Sequence, residues 1–256
     1  MSTGDQDQSI PVIEFCDVVK RFGDKLILDG ISFKVFKGKT FCLIGGSGTG
    51  KSVSLKLLLG LIPYDSGSIQ YRGREVSEMT VRELKEMRYE MGMVFQGSAL
   101  FDSLTVEENI AYPLLEQQRC KTEEEARPHV VEKLNWVGLD GIEAHFPSDL
   151  SGGMKKRVGV ARALAADPKV ILYDEPTAGL DPTNVNRIDD LIEDLKSKLH
   201  VTSIVVTHHM PSVFRIGDDV ALLYDKKIHF LGTVKEFLET KSDFVRKFIE
   251  GRIGEE

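Results

Sequence analysis

Apolar residues recur along this chain in more than one rhythm. Val, Ile and Phe crowd "VIEFCDVVKRF" and "ISFKVFKGKTFCLIG", and Gly-Asp and Lys-Gly pairs punctuate them. That pattern predicts strands joined by turns. "KVILYDEP" and "TSIVVTH" are continuous apolar runs of β-branched character, which suit strands covered on both faces, as in a parallel sheet. "MGMVF" predicts a short buried strand, and "DDVALLYDKKIHFLG" a strand pair turning at its two lysines. Helical spacing takes over at Leu55, Leu58, Leu59 and Ile62, which predicts a helix over 51–62 with one buried face. It returns at Val130, Val131, Leu134 and Val137. From Thr233 on, Val234, Phe237, Leu238, Phe244, Val245, Phe248 and Ile249 space as one or two amphipathic helices.

These elements predict an α/β core over residues 10–96 and 163–240, interrupted by a mostly helical insert over 97–162. Residues 1–9 are expected to be a flexible lead, and 241–256 a helical tail. The tail has two readings: a helix packed on its own core, which we favour, or a contact with a second subunit. A chain of 256 residues can bury a core of this kind. Its formal net charge of −7 argues against a general nucleic-acid binder, whose affinity rests on Lys and Arg neutralising phosphates. Cys16, Cys42 and Cys120 are scattered without metal-ligand spacing, which points to a reducing compartment. No stretch reaches the roughly 18 apolar residues of a membrane span, and the N-terminus lacks the basic start and apolar core of a signal segment. A soluble chain is expected.

Candidate chemistry begins at "GGSGTGKS", between an apolar strand and a leucine-rich helix. This is the spacing of a phosphate-binding loop. Gly45, Gly46, Ser47, Gly48, Thr49 and Gly50 let main-chain N–H groups turn inward toward phosphate oxygens. The following helix adds its positive end. Lys51 supplies a point charge for the β- and γ-phosphates, and Ser52 a hydroxyl for Mg²⁺. Downstream, "VILYDEP" ends a buried strand in two carboxylates. They permit a division of labour, Asp174 toward the metal and Glu175 toward an attacking water.

"LSGGMKKRVGVARALA" then carries a resemblance. Leu150, Ser151, Gly152 and Gly153 resemble the signature of the ATP-binding cassette (ABC) family. Phe22 matches that family's adenine-stacking aromatic, Gln96 its Q-loop, Gly179-Leu180-Asp181 its D-loop and His208 its switch histidine, all in the family's order. Met154 stands where many cassettes carry Gln, a change expected to be mild. The resemblance implies a P-loop NTPase (RecA-like) core with an antiparallel β subdomain and an inserted helical subdomain. It implies that ATP is bound with Mg²⁺ held by Ser52, Gln96 and Asp174, and that Glu175 polarises water with His208 keeping it in line. It further implies a head-to-tail dimer in which Ser151–Gly153 of one copy faces the ATP on the P-loop of the other. His209 is expected to be a solvated neighbour rather than a second catalytic group.

A cassette with no span of its own pairs with a separate permease, which the family seats just after the Q-loop. There Leu104, Val106 and Ile110 are expected in the core, and Phe101 in either core or groove. "QGSALFDSLTVEENIAYPL", "LSGGM" and "DFVRKFIEG" resemble most closely the ATPases of Mla-type lipid transport. That closer resemblance implies an MlaE-type permease, an MCE-domain lipid carrier, in some systems a small regulatory subunit, and a peripheral place on the cytoplasmic face of the inner membrane. ATPases of amino-acid and other small-solute importers share every catalytic motif. Non-transport cassettes of DNA repair and translation fit less well, because the long coiled-coil insertion and the second cassette are missing.

Overall fold

The strand-rich start of the chain folds back on itself. β1 (Pro11–Phe22) pairs antiparallel with β2 (Lys25–Phe36) across the Gly23-Asp24 turn. Alternation buries Ile13 and Phe15 from one strand and Ile31, Phe33 and Val35 from the other, and Val18 is buried again past an irregularity at Cys16-Asp17. Phe15 stacks on Phe33, and Phe33 on Phe41, with ring centroids 4.3 and 4.9 Å apart. Phe41 lies in β3 (Thr40–Ile44), all five residues of which are buried. Helix α1 (Lys51–Leu58) follows, then β4 (Ser66–Tyr71) and the short β5 (Arg74–Glu75). Helix α2 (Val81–Tyr89) leads to β6 (Met91–Val94), α3 (Val106–Glu116), α4 (Glu123–Trp136), α5 (Gly152–Leu164), β7 (Val170–Asp174) and α6 (Pro182–Leu199). The chain closes with β8 (Thr202–Thr207), α7 (Met210–Ile216), β9 (Asp219–Tyr224), β10 (Lys227–Thr233), α8 (Val234–Leu238) and α9 (Asp243–Ile249).

This computed structural model describes residues 10–252. The expected lead at 1–9 lies outside the described residues, as do 253–256 of the tail. The elements gather into two units, one of residues 10–84 and 202–252, the other of residues 85–201. The first unit holds an antiparallel sheet, β2-β1-β4-β5. It also holds a mixed sheet in which β3 runs parallel to both β8 and β9 while β9 and β10 form a hairpin. The second unit pairs β6 with β7 in parallel and carries helices α3 to α6. In its helical portion α3, α4 and α5 pack on one another, and Ile110, Val130, Leu134 and Val158 on these helices are buried.

Three local features depart from the sequence reading. Helix α1 stops at Leu58 instead of reaching Ile62, and buries Leu57 where the periodicity pointed to Leu59. Gly60 takes a left-handed turn there, its N–H bonding Leu57 O while Leu61 N–H bonds Lys56 O, which satisfies the last carbonyls and ends the helix. The β9–β10 turn falls at Asp225-Lys226, not at the two lysines. Both residues have positive φ, and Tyr224 pairs with Lys227. Val131 faces solvent on α4.

The tail forms two helices. Phe244 on α9 meets Tyr224 edge to face and His229 at a tilt, with centroids 5.0 Å away in each case, and Val245 is buried. It therefore packs on its own unit. Deleting the residues after Ser242 should cost about 3 kcal/mol from these two side chains, seen as a Tm roughly 6–12 °C lower for a chain of this size. A truncated chain that keeps its Tm but no longer assembles would favour the subunit-contact reading instead.

Candidate active site

In the first unit, the loop between β3 and α1 is built around main-chain groups. A Cβ on Gly45 would run into Leu223 O of the neighbouring strand, so this position has room only for glycine. Thr49 Oγ1 donates to Gly46 O at 2.9 Å and braces the loop. Lys51 is buried, and its Nζ donates to Gly45 O and Gly46 O, both at 2.8 Å. No side chain caps the start of α1, and its first turn holds no acid. The positive end of that helix is therefore offered to an anion. Phe22 ends β1 with about half its surface exposed, while the ammonium of the buried Lys20 sits 5.0 Å from its ring centroid. Asp65 holds Lys20 at 3.7 Å and also accepts from Arg21 N–H. His208 follows β8 and is exposed. His209 is not a solvated neighbour: its Nδ1 caps α7, 2.8 Å from Ser212 Oγ and accepting from Ser212 N–H. It has a local structural task.

In the second unit, β7 delivers Asp174 and Glu175. Glu175 is only 9 % exposed and holds φ +50°, a left-handed conformation uncommon for a residue other than glycine. Lys156, on the second turn of α5, reaches into this region. Its Nζ donates to Gln96 O and to Glu175 O, the latter at 3.4 Å. Burial pulls its ammonium below the usual lysine range, while the charges of Glu175 and Asp174 act in the opposite direction. Gln96 exposes its side chain just past β6. The next turn places Ser98 and Ala99 at φ +63° and +48°, and Arg162 of α5 donates to both their carbonyls at 2.8 and 2.7 Å.

Ser151 is the N-cap of α5 and accepts from Met154 N–H at 3.3 Å, so the helix starts at Gly152, two residues before Met154. Gly153 is buried against Asn184, whose Oδ1 would lie 2.6 Å from a Cβ there. Asn184 in turn donates to Asp181, the N-cap of α6. Hydrogen bonds from Asn184 and from main-chain N–H groups hold the Asp181 carboxyl below the usual carboxylate range. The signature and the D-loop thus meet through one amide. Lys156 and Arg162 have no signal in the sequence beyond their types, since each acts on groups distant along the chain; Asn184 bonds Asp181 three residues away, but its approach to Gly153 is equally unwritten in the sequence.

The same unit carries an apolar groove of about 430 Å³, lined in part by Met91, Met93, Phe95, Phe101, Tyr112 and Arg162. Phe101 is 44 % exposed, 5.1 Å from the Tyr112 ring and 5.9 Å from the Arg162 guanidinium. It belongs to the groove and not to the core. Val106 and Ile110 are core as expected, and Leu104 is only half-buried. The rim is knit by Asn109, fully buried, which accepts from Phe101 N–H and donates to the carbonyls of Phe101, Leu104 and Thr105. Thr105 and Glu108 complete a capping box on α3.

The loop and helix start of the first unit supply N–H donors, an ammonium and the Ser52 hydroxyl, which suit the phosphates of a nucleotide and their Mg²⁺. In the second unit, Gln96 and Asp174 carry oxygens of the hard kind that Mg²⁺ takes. Among the described residues, no helix is long and apolar enough to cross a membrane.

Comparison with known proteins agrees with this chemistry. A family model described as ABC transporter matches residues 28–178. A "probable ribonucleotide transport ATP-binding protein mkl" of Mycobacterium leprae is 40% identical over 94% of this chain and 69% of its own length. The "intermembrane phospholipid transport system ATP-binding protein MlaF" of Haemophilus influenzae is 38% identical over 94% of this chain and 90% of its own. The "methionine import ATP-binding protein MetN" of Clostridium tetani is 40% identical over 93% of this chain and 74% of its own. Among solved structures, a dimeric post-hydrolysis state of the ATP-binding cassette MJ0796, bound to ADP and Pi, superposes with TM-score 0.79 at 30% identity, covering 87% of this chain and 98% of that one.

Proposed function

This chain belongs to the ABC transporter ATP-binding family, and from that membership we propose that it drives a lipid transporter of the Mla type. As an ABC ATPase it binds and hydrolyses ATP in the service of a membrane permease. The residue roles we assign follow from the chemistry of phosphoryl transfer, which spreads charge over the γ-phosphate oxygens and needs fixed donors around them. The loop Gly45–Gly50 and Lys51 hold the β- and γ-phosphates, and Phe22 stacks on adenine. Ser52, Gln96 and Asp174 would hold Mg²⁺, which when bound neutralises charge between those phosphates. Glu175 accepts a proton from the attacking water, and His208 keeps that water and the γ-phosphate in line. Ser151–Gly153 and Asp181 of a second copy complete the site. ATP therefore favours a closed pair, and hydrolysis releases it.

The observation that supports lipid as cargo is the end-to-end match with MlaF, which covers nearly all of both chains. In this reading the groove around Phe101 seats a cytoplasmic helix of an MlaE-type permease, an MCE-domain protein carries the lipid, and the ATPase lies against the cytoplasmic face of the membrane. The match with MetN supports a second reading, the ATPase of an amino-acid importer. Affinity purification of the tagged chain from detergent-solubilised membranes separates the two. The lipid reading expects a permease, an MCE-domain protein and bound phospholipid; a solute-binding protein for amino acids in their place would overturn it. Phe101→Asp should cut recovery of the permease at least tenfold by putting a charge in an apolar contact, with ATP affinity unchanged.

A further inference from the structure

We propose that Lys156 is a positioning residue for hydrolysis: its buried ammonium clasps the main-chain carbonyls of Gln96 and Glu175, so that the loop after β6 and the base at the end of β7 are held as one unit by α5. This rests on the assignment of Glu175 as general base made above. The geometry is unusual in what it joins. Lys156 is 6 % exposed and lies two turns or less from the Ser151 N-cap of the same helix. The two carbonyls it binds are 60 and 19 residues away in sequence. Both sit beside strained backbone. Glu175 itself is left-handed, and Ser98 and Ala99, just after Gln96, are left-handed in succession. Such conformations persist only where the surroundings over-determine them.

Helix α5 supplies that over-determination from one face. Lys156 takes Gln96 O and Glu175 O, and Arg162, six residues on, takes Ser98 O and Ala99 O. Between them Gly159 lies beside Ser98, whose Cβ and carbonyl oxygen stand 3.5 Å from where a Cβ would sit, an ordinary packing distance. A side chain that bonds the Glu175 carbonyl does not touch water or phosphate. It fixes the φ and ψ from which the Glu175 carboxylate is aimed, and small errors in aim cost large factors in rate. It also makes that aim depend on where the Gln96 main chain lies. A shift in the loop that borders the Phe101 groove would reach the base through a single ammonium.

The test is Lys156→Met, which keeps the length and apolar stem of the side chain and removes the donors. Single-turnover hydrolysis by the full chain should slow by about 10- to 100-fold, the loss expected for a charged hydrogen bond acting on the chemical step. ATP affinity should stay within about twofold, because Lys156 is spent on two main-chain carbonyls and is not among the groups assigned to the phosphates. The decisive comparison is the double variant with Glu175→Gln. If Lys156 acts by aiming Glu175, the double variant is no slower than Glu175→Gln alone. Multiplying losses would show a separate structural role and overturn the proposal, as would full activity in Lys156→Met. Lys156→Gln, a shorter donor able to reach at most one carbonyl, should fall between wild type and Lys156→Met, and serves if Lys156→Met fails to fold. An active Glu175→Gln chain would instead sink the assignment of the base, an outcome distinct from full activity in Lys156→Met.

Discussion

Glu175→Gln should lose turnover by roughly 10²–10⁴-fold, the contribution of a positioned general base, while still binding ATP. The replacement conserves shape and removes the proton acceptor. The backbone at this position is set from outside the side chain, so the left-handed φ of +50° survives the change. With ATP bound and not consumed, the closed pair has no exit and should accumulate. The measurement is steady-state ATPase activity beside the mass of the particle by light scattering with and without ATP. A near-doubling of mass with ATP, together with lost turnover, is the expected pair of results. Turnover within about fivefold of wild type would remove Glu175 from the role and leave the reaction without its base.

Lys51→Ala should act earlier, on capture of the nucleotide. A charged hydrogen bond to phosphate contributes about 1.5–3 kcal/mol, so ATP affinity should drop by roughly 10- to 150-fold. Lys51 has a second attachment that complicates a simple stability readout. Its Nζ donates to Gly45 O and Gly46 O, and removing it loosens the loop even before ATP arrives. The informative quantity is therefore the ATP-induced rise in Tm, not the Tm itself. At a ligand concentration of 100 times Kd, binding stabilises a protein by about 2.7 kcal/mol. At the ATP concentration that gives wild type that rise, Lys51→Ala should show roughly a tenth to a half of it. An equal rise in both would contradict the assignment of Lys51 to the phosphates.

What can be read from the sequence and what cannot divide along a physical line. The loop Gly45–Ser52 is legible because its chemistry is local: glycines, a lysine and a hydroxyl at fixed spacing between a strand and a helix. The strands at 170–174 and 202–207 are legible because burial on both faces leaves a run of apolar residues at their centres; the one at 91–94 is legible as a short apolar stretch, with Gly92 and Val94 buried and Met91 and Met93 lining the groove. The stretch 66–75 gives no such strand signal. Ser66, Gly67 and Ser68 dilute the alternation, and pairing with β1 supplies what local propensity lacks. The end of α1 is hidden because Leu59 and Ile62 keep a helical rhythm past Gly60, where the backbone has already reversed.

Side-chain tasks divide in the same way. Asp174 and Glu175 can be suspected from their place after an apolar run. The strained backbone of Glu175 cannot, because φ is not written in a side chain. Lys156 reads as one of two adjacent lysines in "GGMKKRV", with nothing to say which is buried. Its assignment needs three dimensions, since both of its partners are main-chain atoms remote in sequence. His209 shows the converse. A histidine beside a candidate catalytic one invites a chemical role, yet its ring is occupied by the first turn of α7.

The buried amide of Asn109 bears on how force could pass through the molecule. With its oxygen and nitrogen both engaged by the segment 101–105, the ledge bearing Phe101 is already stiff before anything touches it. A compliant ledge would soak up a push as local bending; a stiff one behaves as the short arm of a lever. Loss of that stiffness in Asn109→Ala would be felt as slippage, with fuel consumed at the usual pace and less mechanical output for each molecule burned.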